Sequence, residues 1–232
     1  RNKGDYRMVQ ENLEPDPFRD LWTDKIVKKK FIRMFEDVYQ FFLLRGCQPF
    51  VNFGTLLGCC RNEKLIPWDG DADITIDHCH IEYANPSSFL HKMGYSFVKD
   101  GEYSYKIFCP SSQKTEKNFN WPWIDVSFFI RGEGNVNLVS SNGLDFYPIP
   151  EEDVFPLKTR IFEKVKVLTP QRSEKYLDKI YPNWQNKYES PMVNQQAAGK
   201  VVLDEDGMPT IKGGEHYSKI LTKEINPIDY EI

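Results

Sequence analysis

Apolar residues recur at three- and four-residue spacing early in the chain, in the stretch that follows Thr23. They are Ile26, Val27, Phe31, Phe35, Val38, Phe42 and Leu43. Residues at this spacing fall on one side of an α-helix, so the pattern predicts an amphipathic helix. Thr23 or Asp24 would cap its N-terminus, and Gly46 would end it. A second, shorter helix is predicted over Ser173–Tyr181.

Strands are predicted where polar and apolar residues alternate, or where short apolar runs lie between turn residues. Asp71–Asp77 alternates with period two, and Trp123–Phe129 is an apolar run that contains one carboxylate. The other predicted strands are Pro49–Phe53, Tyr95–Val98, Tyr103–Cys109 and Phe162–Leu168, with a polar loop over 110–120. Together these elements predict an α+β fold in which a small mixed β-sheet is flanked by helices.

The 232 residues are predicted to form a single domain with two arms. Residues 1–20 are expected to form an N-terminal arm, residues 21–185 the core, and residues 186–232 a peripheral C-terminal arm. No apolar run reaches the roughly 18–20 residues that a membrane span needs. Because the sequence begins with Arg1 rather than Met, we expect any membrane contact to come only from a segment upstream.

Charge and composition exclude several classes of protein. There are 30 Lys and Arg residues against 34 Asp and Glu, and the net charge of −4 argues against a basic nucleic-acid binder. Hydrophobic residues make up 40% of the chain, which is enough for a packed core and excludes global disorder. The five cysteines have no zinc-binding spacing, although one or two disulfides remain possible. His78, Cys79 and His80 lack a second ligand pair, so no zinc site is expected there.

Carboxylates are concentrated around the predicted strand that begins near residue 70. Side chains two residues apart point to the same side of a strand, so Asp69, Asp71 and Asp73 are expected to share one face. Carboxylates this close repel one another, and a divalent cation such as Mg²⁺ would offset the repulsion. A calcium-binding EF-hand loop is excluded, because its sixth and twelfth positions would be Ile74 and His80.

Asp125 is the second candidate ligand position, on another predicted strand. It lies among apolar residues, and a buried carboxylate is costly unless it is paired or bound to metal. An adjacent strand that carried Asp125 would therefore complete a metal site.

Gly54 and Thr55 are predicted to open a helix directly after a strand. Free amide groups and the positive dipole end make a helix N-terminus suitable for a phosphate, and glycine allows close approach to the backbone. A strand, a Gly-Thr turn, a helix and then Asp-x-Asp on the next strand is the layout of the nucleotidyltransferase fold. In that fold the acidic pair holds metal on the phosphates of a nucleotide.

At these same residues the sequence resembles the LicD family, which includes bacterial phosphocholine transferases, fukutin and fukutin-related protein. Gly54–Arg61 reads GTLLGCCR and Ile66–Ile74 reads IPWDGDADI, close to the family pattern GTLLG-x-x-R followed by IPWDDDxD. Gly70 stands where many members have Asp. Looser similarities extend the resemblance over residues 25–185, and they are Asp125 in Trp-Ile-Asp-Val, Phe155–Lys158, Phe162-Glu163, Tyr176-Leu177, Tyr181 and Trp184.

The resemblance implies an enzyme that transfers a phospho-alcohol or phospho-sugar from a CDP-linked donor to a glycan hydroxyl, with release of CMP. It implies that Asp71 and Asp73 ligate Mg²⁺ or Mn²⁺, with Asp69 as a further ligand or a base. Asp125 would complete the site and could accept the proton of the acceptor hydroxyl. Gly54, Thr55, Arg61 and Lys106 are the candidates for the donor phosphates, and Lys158 and Arg160 are weaker ones.

Two other functions remain open from the sequence. One is a glycosyltransferase that uses its Asp-x-Asp pair to hold the metal of a nucleotide-sugar. The other is a binding module for nucleotide or glycan that has lost turnover. The cellular setting also stays open between a secretory lumen and a bacterial cytoplasm, and the oligomeric state is not predicted.

Overall fold

A seven-stranded mixed sheet organises the described part of the protein. The structure is a computed structural model, which describes residues 20–80, 89–101, 103–139 and 145–185, together with five short strands further along the chain. The sheet consists of β1 (Phe50–Val51), β2 (Asp71–Asp77), β3 (Ser96–Lys99), β4 (Ser104–Lys114), β5 (Asn120–Gly132), β6 (Asn135–Val139) and β7 (Asp145–Pro150). Its order is β1-β2-β5-β4-β3, and β6 pairs with both β5 and β7. The α+β class predicted from the sequence is confirmed.

Helices and smaller strand pairs surround this sheet. The helices are α1 (Lys25–Leu43), α2 (Phe53–Asn62), α3 (Phe89–Lys92), α4 (Glu151–Val154) and α5 (Ser173–Ile180), with a 3-10 turn at His78–His80. The other strands are β8 (Lys158–Phe162), β9 (Val165–Thr169), β10 (Lys187–Glu189), β11 (Val201–Leu203), β12 (Pro209–Ile211), β13 (Glu215–His216) and β14 (Thr222–Glu224). No helix among the described residues is both long and apolar enough to span a bilayer. The predicted arms fall mostly outside the described residues, so the domain boundaries stay predictions.

Helix α1 forms where the apolar spacing predicts it. The side chain of Asp24 accepts hydrogen bonds from the backbone N–H groups of Ile26 and Val27, so Asp24 is the N-cap. The stripe is buried from Phe31 onward, whereas Ile26 is exposed, and the rings of Phe35 and Phe162 in the β8–β9 hairpin meet edge to face at 5.4 Å. Helix α1 therefore joins the N-terminal part of the core to that hairpin.

Three of the predicted elements need correction. Phe53 does not end a strand but begins α2, with a φ of +42°. The predicted loop over 110–120 is mostly strand, because β4 continues to Lys114 and pairs with β5 again after a register shift. The predicted strand Phe162–Leu168 is two strands, separated by a turn at Glu163 and Lys164 in which both residues have positive φ.

The turn between β8 and β9 holds the loop that leads from α2 into β2. The carboxylate of Glu163 accepts a hydrogen bond from the Leu65 N–H at 3.0 Å and pairs with Lys28 at 2.8 Å. The N–H of Glu163 donates to the Glu63 carbonyl at 2.7 Å. The β8–β9 turn, which is itself paired with α1, thus fixes the start of the segment 63–69 that leads to Asp69.

A buried polar network lies behind the acidic end of β2. Tyr176 Oη donates to Asn52 Oδ1 at 2.8 Å, and Asn52 Nδ2 donates to Thr75 Oγ1 at 2.9 Å. Thr75 Oγ1 lies 2.7 Å from Ser127 Oγ on the neighbouring strand. Asn52 Oδ1 also accepts the N–H of Phe53, so this side chain caps α2 as well as linking α5 to the sheet.

We expect Asn52→Ala to lower the free energy of unfolding by about 2–4 kcal/mol, because it removes a helix cap and leaves buried hydroxyl groups without their partner. Urea denaturation measures the change. Asn62→Ala is the matched control, because Asn62 is an exposed residue at the other end of the same helix. Equal stability of the two variants would contradict the structural role of the network.

Candidate active site

Four carboxylates converge on one face of the sheet. Strands β2 and β5 run parallel with Asp73 directly beside Asp125, so both side chains point to the same face. Asp71 lies two residues before Asp73 on that face, and Asp69 precedes β2. Burial raises the pKa of Asp71, whose carboxyl is close enough to the carboxyls of Asp69 and Asp125 for their charges to raise it further. The structure therefore brings together all four acidic residues that the sequence singles out.

The N-terminus of α2 faces this acidic cluster. The Thr55 N–H and hydroxyl each lie 3.4 Å from Asp73 Oδ2, and the Thr55 hydroxyl accepts the Asp73 N–H at 2.7 Å. Gly54 is packed closely, because a Cβ at this position would lie 2.0 Å from Asp69 Oδ2. In this structure Gly54 and Thr55 thus contact the carboxylates themselves, and their predicted contact with a phosphate stays a prediction.

Asp125 is held by two donors, one on each oxygen. Lys106 lies directly across from it on the antiparallel strand β4, and its Nζ is 2.5 Å from Asp125 Oδ1. The indole Nε1 of Trp123 donates to Asp125 Oδ2 at 3.0 Å. Lys106 also lies 3.4 Å from Asp100 Oδ2, so the predicted phosphate-binding lysine is here engaged with two carboxylates.

Burial and crowding raise the pKa of three carboxyl groups in the cluster. Burial is the main cause that raises the pKa of Asp69 to about 6, with a further contribution from the charge of Asp125. Burial also raises the pKa of Asp71 and Asp73 well above their ordinary value, and the charges of neighbouring carboxylates add to it. Without a cation the fold therefore favours partial protonation of the cluster.

The chemistry of the donor set fits a hard divalent cation. Four carboxylates offer oxygen ligands only, which is what Mg²⁺ and Mn²⁺ prefer. In the described part of the chain, no three His, Cys, Asp or Glu side chains already stand in metal-binding geometry.

The other predicted residues lie outside the cluster. Arg61 is in the last turn of α2, about 9 Å along the helix axis from Thr55 at 1.5 Å per residue. Its Nη2 donates to the Trp184 carbonyl at 2.5 Å. Arg160 pairs with Glu174 at 2.7 Å, and Lys158 is exposed.

Zinc binding at the histidines was not predicted. Here the His78 ring contacts the rings of Tyr103 and Phe128, and Cys79 is exposed. All five cysteines are free thiols.

Two tryptophans donate hydrogen bonds to the acidic residues, which the sequence did not predict. Trp22 Nε1 donates to the Asp69 carbonyl at 2.9 Å and fixes the backbone at that residue. Trp123 precedes Asp125 by two residues, and this period-two spacing is a signal that could have placed it on the acidic face. No local pattern connects Trp22 with Asp69, because 47 residues separate them.

Comparison with known proteins gives two relatives of unknown activity. An uncharacterized protein of Rickettsia prowazekii is 26% identical over 174 residues, which cover 71% of this chain and 59% of the relative. An uncharacterized protein of Rickettsia typhi is 25% identical over 174 residues, which cover 71% of this chain and 50% of the relative. The matches thus span only half to three fifths of the length of these proteins.

The family comparison is more informative. The profile described as "LicD/FKTN/FKRP, nucleotidyltransferase domain" matches residues 46–172, which is more than half of the chain. The matched region contains α2, β2, β4 and β5, and with them the four carboxylates, Gly54, Thr55 and Lys106. The chain therefore belongs to the LicD/FKTN/FKRP family, with a nucleotidyltransferase domain at its centre.

Proposed function

We propose that the protein is a metal-dependent phosphotransferase. It moves a phospho-alcohol or phospho-sugar from a CDP-linked donor to a hydroxyl of a glycan. Membership of the family indicates a transferase, and the resemblance of the Gly54–Arg61 and Ile66–Ile74 blocks points to this class of donor. The observation that carries the proposal is the convergence of Asp69, Asp71, Asp73 and Asp125 beside the N-terminus of α2.

Asp71, Asp73 and Asp125 would hold Mg²⁺ or Mn²⁺. A bound cation would neutralise charge on the donor diphosphate and on the departing CMP. The acceptor oxygen attacks the phosphorus that carries the alcohol or sugar. The bond from that phosphorus to the bridging oxygen then breaks, and CMP leaves with that oxygen. Such a reaction depends mainly on positioning and on charge neutralisation, which the rigid pair β2–β5 supports.

Asp69 is the better choice for the base that takes the hydroxyl proton. Both oxygens of Asp125 already accept hydrogen bonds, from Lys106 and Trp123, which suits a fixed ligand rather than a proton acceptor. Asp69 precedes β2, and burial raises its pKa to about 6, which is closer to the pH at which a general base works. The Asp69 carboxylate occupies the space that a side chain at position 54 would fill, so its position depends on glycine there.

A donor screen tests the proposal. The protein is incubated with Mg²⁺ or Mn²⁺, a glycan mixture and CDP-, GDP- or UDP-linked donors, and released CMP, GMP and UMP are measured. We expect CMP release and a product that retains the phosphate. A phosphate-free sugar on the acceptor would instead indicate a glycosyltransferase. Donor binding without release, across the whole panel, would indicate a binding module.

Gly54→Ala is expected to reduce CMP release by about 100-fold, because its methyl group would displace the Asp69 carboxylate and small misplacements of catalytic groups have effects of this size. The helical backbone at Gly54 tolerates alanine, so the melting temperature should change little. Gly132→Ala is the control, because no atom lies within 4 Å of a Cβ placed there. Wild-type turnover in Gly54→Ala would contradict the role of Asp69.

A further inference from the structure

We infer that Trp123 is a positioning residue for Asp125, and that its indole N–H fixes the carboxylate in the orientation that binds the cation. This inference rests on the proposed function, because it concerns the same site. It assigns a role to a tryptophan that the acidic motif itself does not contain.

The register of the sheet places Trp123 at the site. In the parallel pair β2–β5, Trp123 lies beside Asp71, just as Asp125 lies beside Asp73. The indole is therefore on the acidic face, on the same strand as the Asp125 carboxylate that it binds and two residues before it. The Nε1–Oδ2 distance of 3.0 Å is that of an ordinary N–H···O hydrogen bond.

The surroundings of the indole leave it little freedom. The Phe119 ring packs edge-on against it at 4.9 Å, and Lys106 Nζ lies 5.2 Å from the ring centroid. Phe119 itself is buried. A donor on a packed ring has a fixed direction, whereas the ammonium of a lysine can rotate and follow its partner.

The two donors on Asp125 therefore have different functions. Lys106 offsets the charge of the cluster, and it also lies close to Asp100. Trp123 is neutral, so it holds Oδ2 without neutralising a ligand that the cation needs. Partners of this kind commonly affect metal affinity or activity by about 10–100-fold when they are removed.

Mn²⁺ binding to the protein without donor tests the inference, with free Mn²⁺ counted by electron paramagnetic resonance. Trp123→Phe keeps a ring but removes the N–H, and we expect the dissociation constant for Mn²⁺ to rise about tenfold or more. Trp123→Met also lacks the donor and fills the space with a flexible chain, so the result does not depend on the folding of one variant.

Trp184→Phe is the matched control. Trp184 Nε1 donates to the carboxylate of Asp178 at 3.0 Å, so the same kind of bond is lost at a buried tryptophan outside the acidic cluster. We expect Mn²⁺ affinity to stay unchanged in this variant. Melting temperatures of all variants show whether each one is folded.

A double-mutant cycle separates positioning from general damage. In an Asp125→Asn background, Trp123→Phe should have little further effect on Mn²⁺ affinity, because the group it orients is no longer a carboxylate. An equal loss in both backgrounds would overturn the inference. Unchanged affinity in Trp123→Phe, with Asp71→Asn unable to bind Mn²⁺, would overturn the inference but leave the proposed function intact. Wild-type affinity in Asp71→Asn would contradict the metal site itself.

Discussion

Asp71→Asn is expected to reduce CMP release at least about 1,000-fold. A bound divalent cation supplies several kcal/mol of charge stabilisation in the transition state, and each 1.36 kcal/mol corresponds to about a factor of ten. Burial and the charges of Asp69 and Asp125 raise the pKa of Asp71, so in the proposed site its replacement would remove a metal ligand that lies among the other acids. Measurement of CMP release under saturating donor and Mg²⁺ gives the loss directly.

The same substitution should not destabilise the fold. Asparagine keeps the shape of the side chain but removes one negative charge from a crowded group, so the metal-free melting temperature should stay level or rise. A loss of CMP release with an unchanged or raised melting temperature is the result expected of a functional residue, whereas a structural residue would lower both.

Asp77→Asn is the control for Asp71→Asn. Asp77 lies on the same strand and the same face, but at the far end, where it pairs with Arg131 at 3.5 Å. We expect Asp77→Asn to retain wild-type turnover. Retained activity in Asp71→Asn, or an equal loss in Asp77→Asn, would contradict the site assignment.

The sequence predicts the acidic strands well because their signal is local. The alternation in Asp71–Asp77 follows from one buried face and one acidic face, and the structure has the same bounds for β2. The run Trp123–Phe129 lies wholly inside β5. The parallel pairing of these strands is different, because it depends on contacts between residues about 50 positions apart. The sequence motivated the hypothesis that the two acids meet, but only the fold shows their register.

Two incorrect secondary-structure predictions, the loop over 110–120 and the single strand Phe162–Leu168, have physical causes. Residues 110–114 include proline and serine, which are typical of loops, yet they continue β4 because the neighbouring strand offers hydrogen bonds. The turn at Glu163 and Lys164 has two positive φ angles without the glycine or asparagine that normally indicates such a turn. In both cases tertiary contacts override local preference.

The role of Gly54 shows a similar limit in the candidate site. A glycine at a helix N-terminus after a strand is typical of a phosphate-binding turn, and the sequence favours that interpretation. The structure adds a second reason for glycine, because the Asp69 carboxylate occupies the space of a side chain. That contact joins residues on two separate segments, so no local pattern could have indicated it.

The metal-free protein is expected to lose stability as the pH rises from 5 to 8. The pKa of Asp69 is raised from 3.8 to about 6, and the pKa values of Asp71 and Asp73 are also raised. A folded state with raised carboxyl pKa values binds more protons than the unfolded state, so its free energy of unfolding falls as these protons leave. The contribution is fully present below pH 3.8 and is lost as the pH passes through about 6 and above.

The loss of stability is of the order of a few kcal/mol. For Asp69 alone, the whole shift from 3.8 to about 6 corresponds to about 3 kcal/mol, since one pKa unit is about 1.4 kcal/mol, and roughly 1.5 kcal/mol of it is lost above pH 5. Asp153 and Glu174 have lowered pKa values because hydrogen bonds to neighbouring groups outweigh the cost of their burial. Their stabilising effect disappears only as the pH falls below their unfolded values, so it does not change between pH 5 and 8.

Mg²⁺ should reverse the trend, because a cation binds the deprotonated carboxylates and competes with protons. We expect millimolar Mg²⁺ to raise the melting temperature clearly at pH 8 and little at pH 5, with EDTA-treated protein as the reference. In Asp71→Asn both the pH dependence and the response to Mg²⁺ should be weaker, whereas Asp77→Asn should behave as wild type. A metal-free melting temperature that rises from pH 5 to 8 would contradict the raised pKa values. An equal Mg²⁺ effect at both pH values would show that the ion binds somewhere other than the acidic cluster.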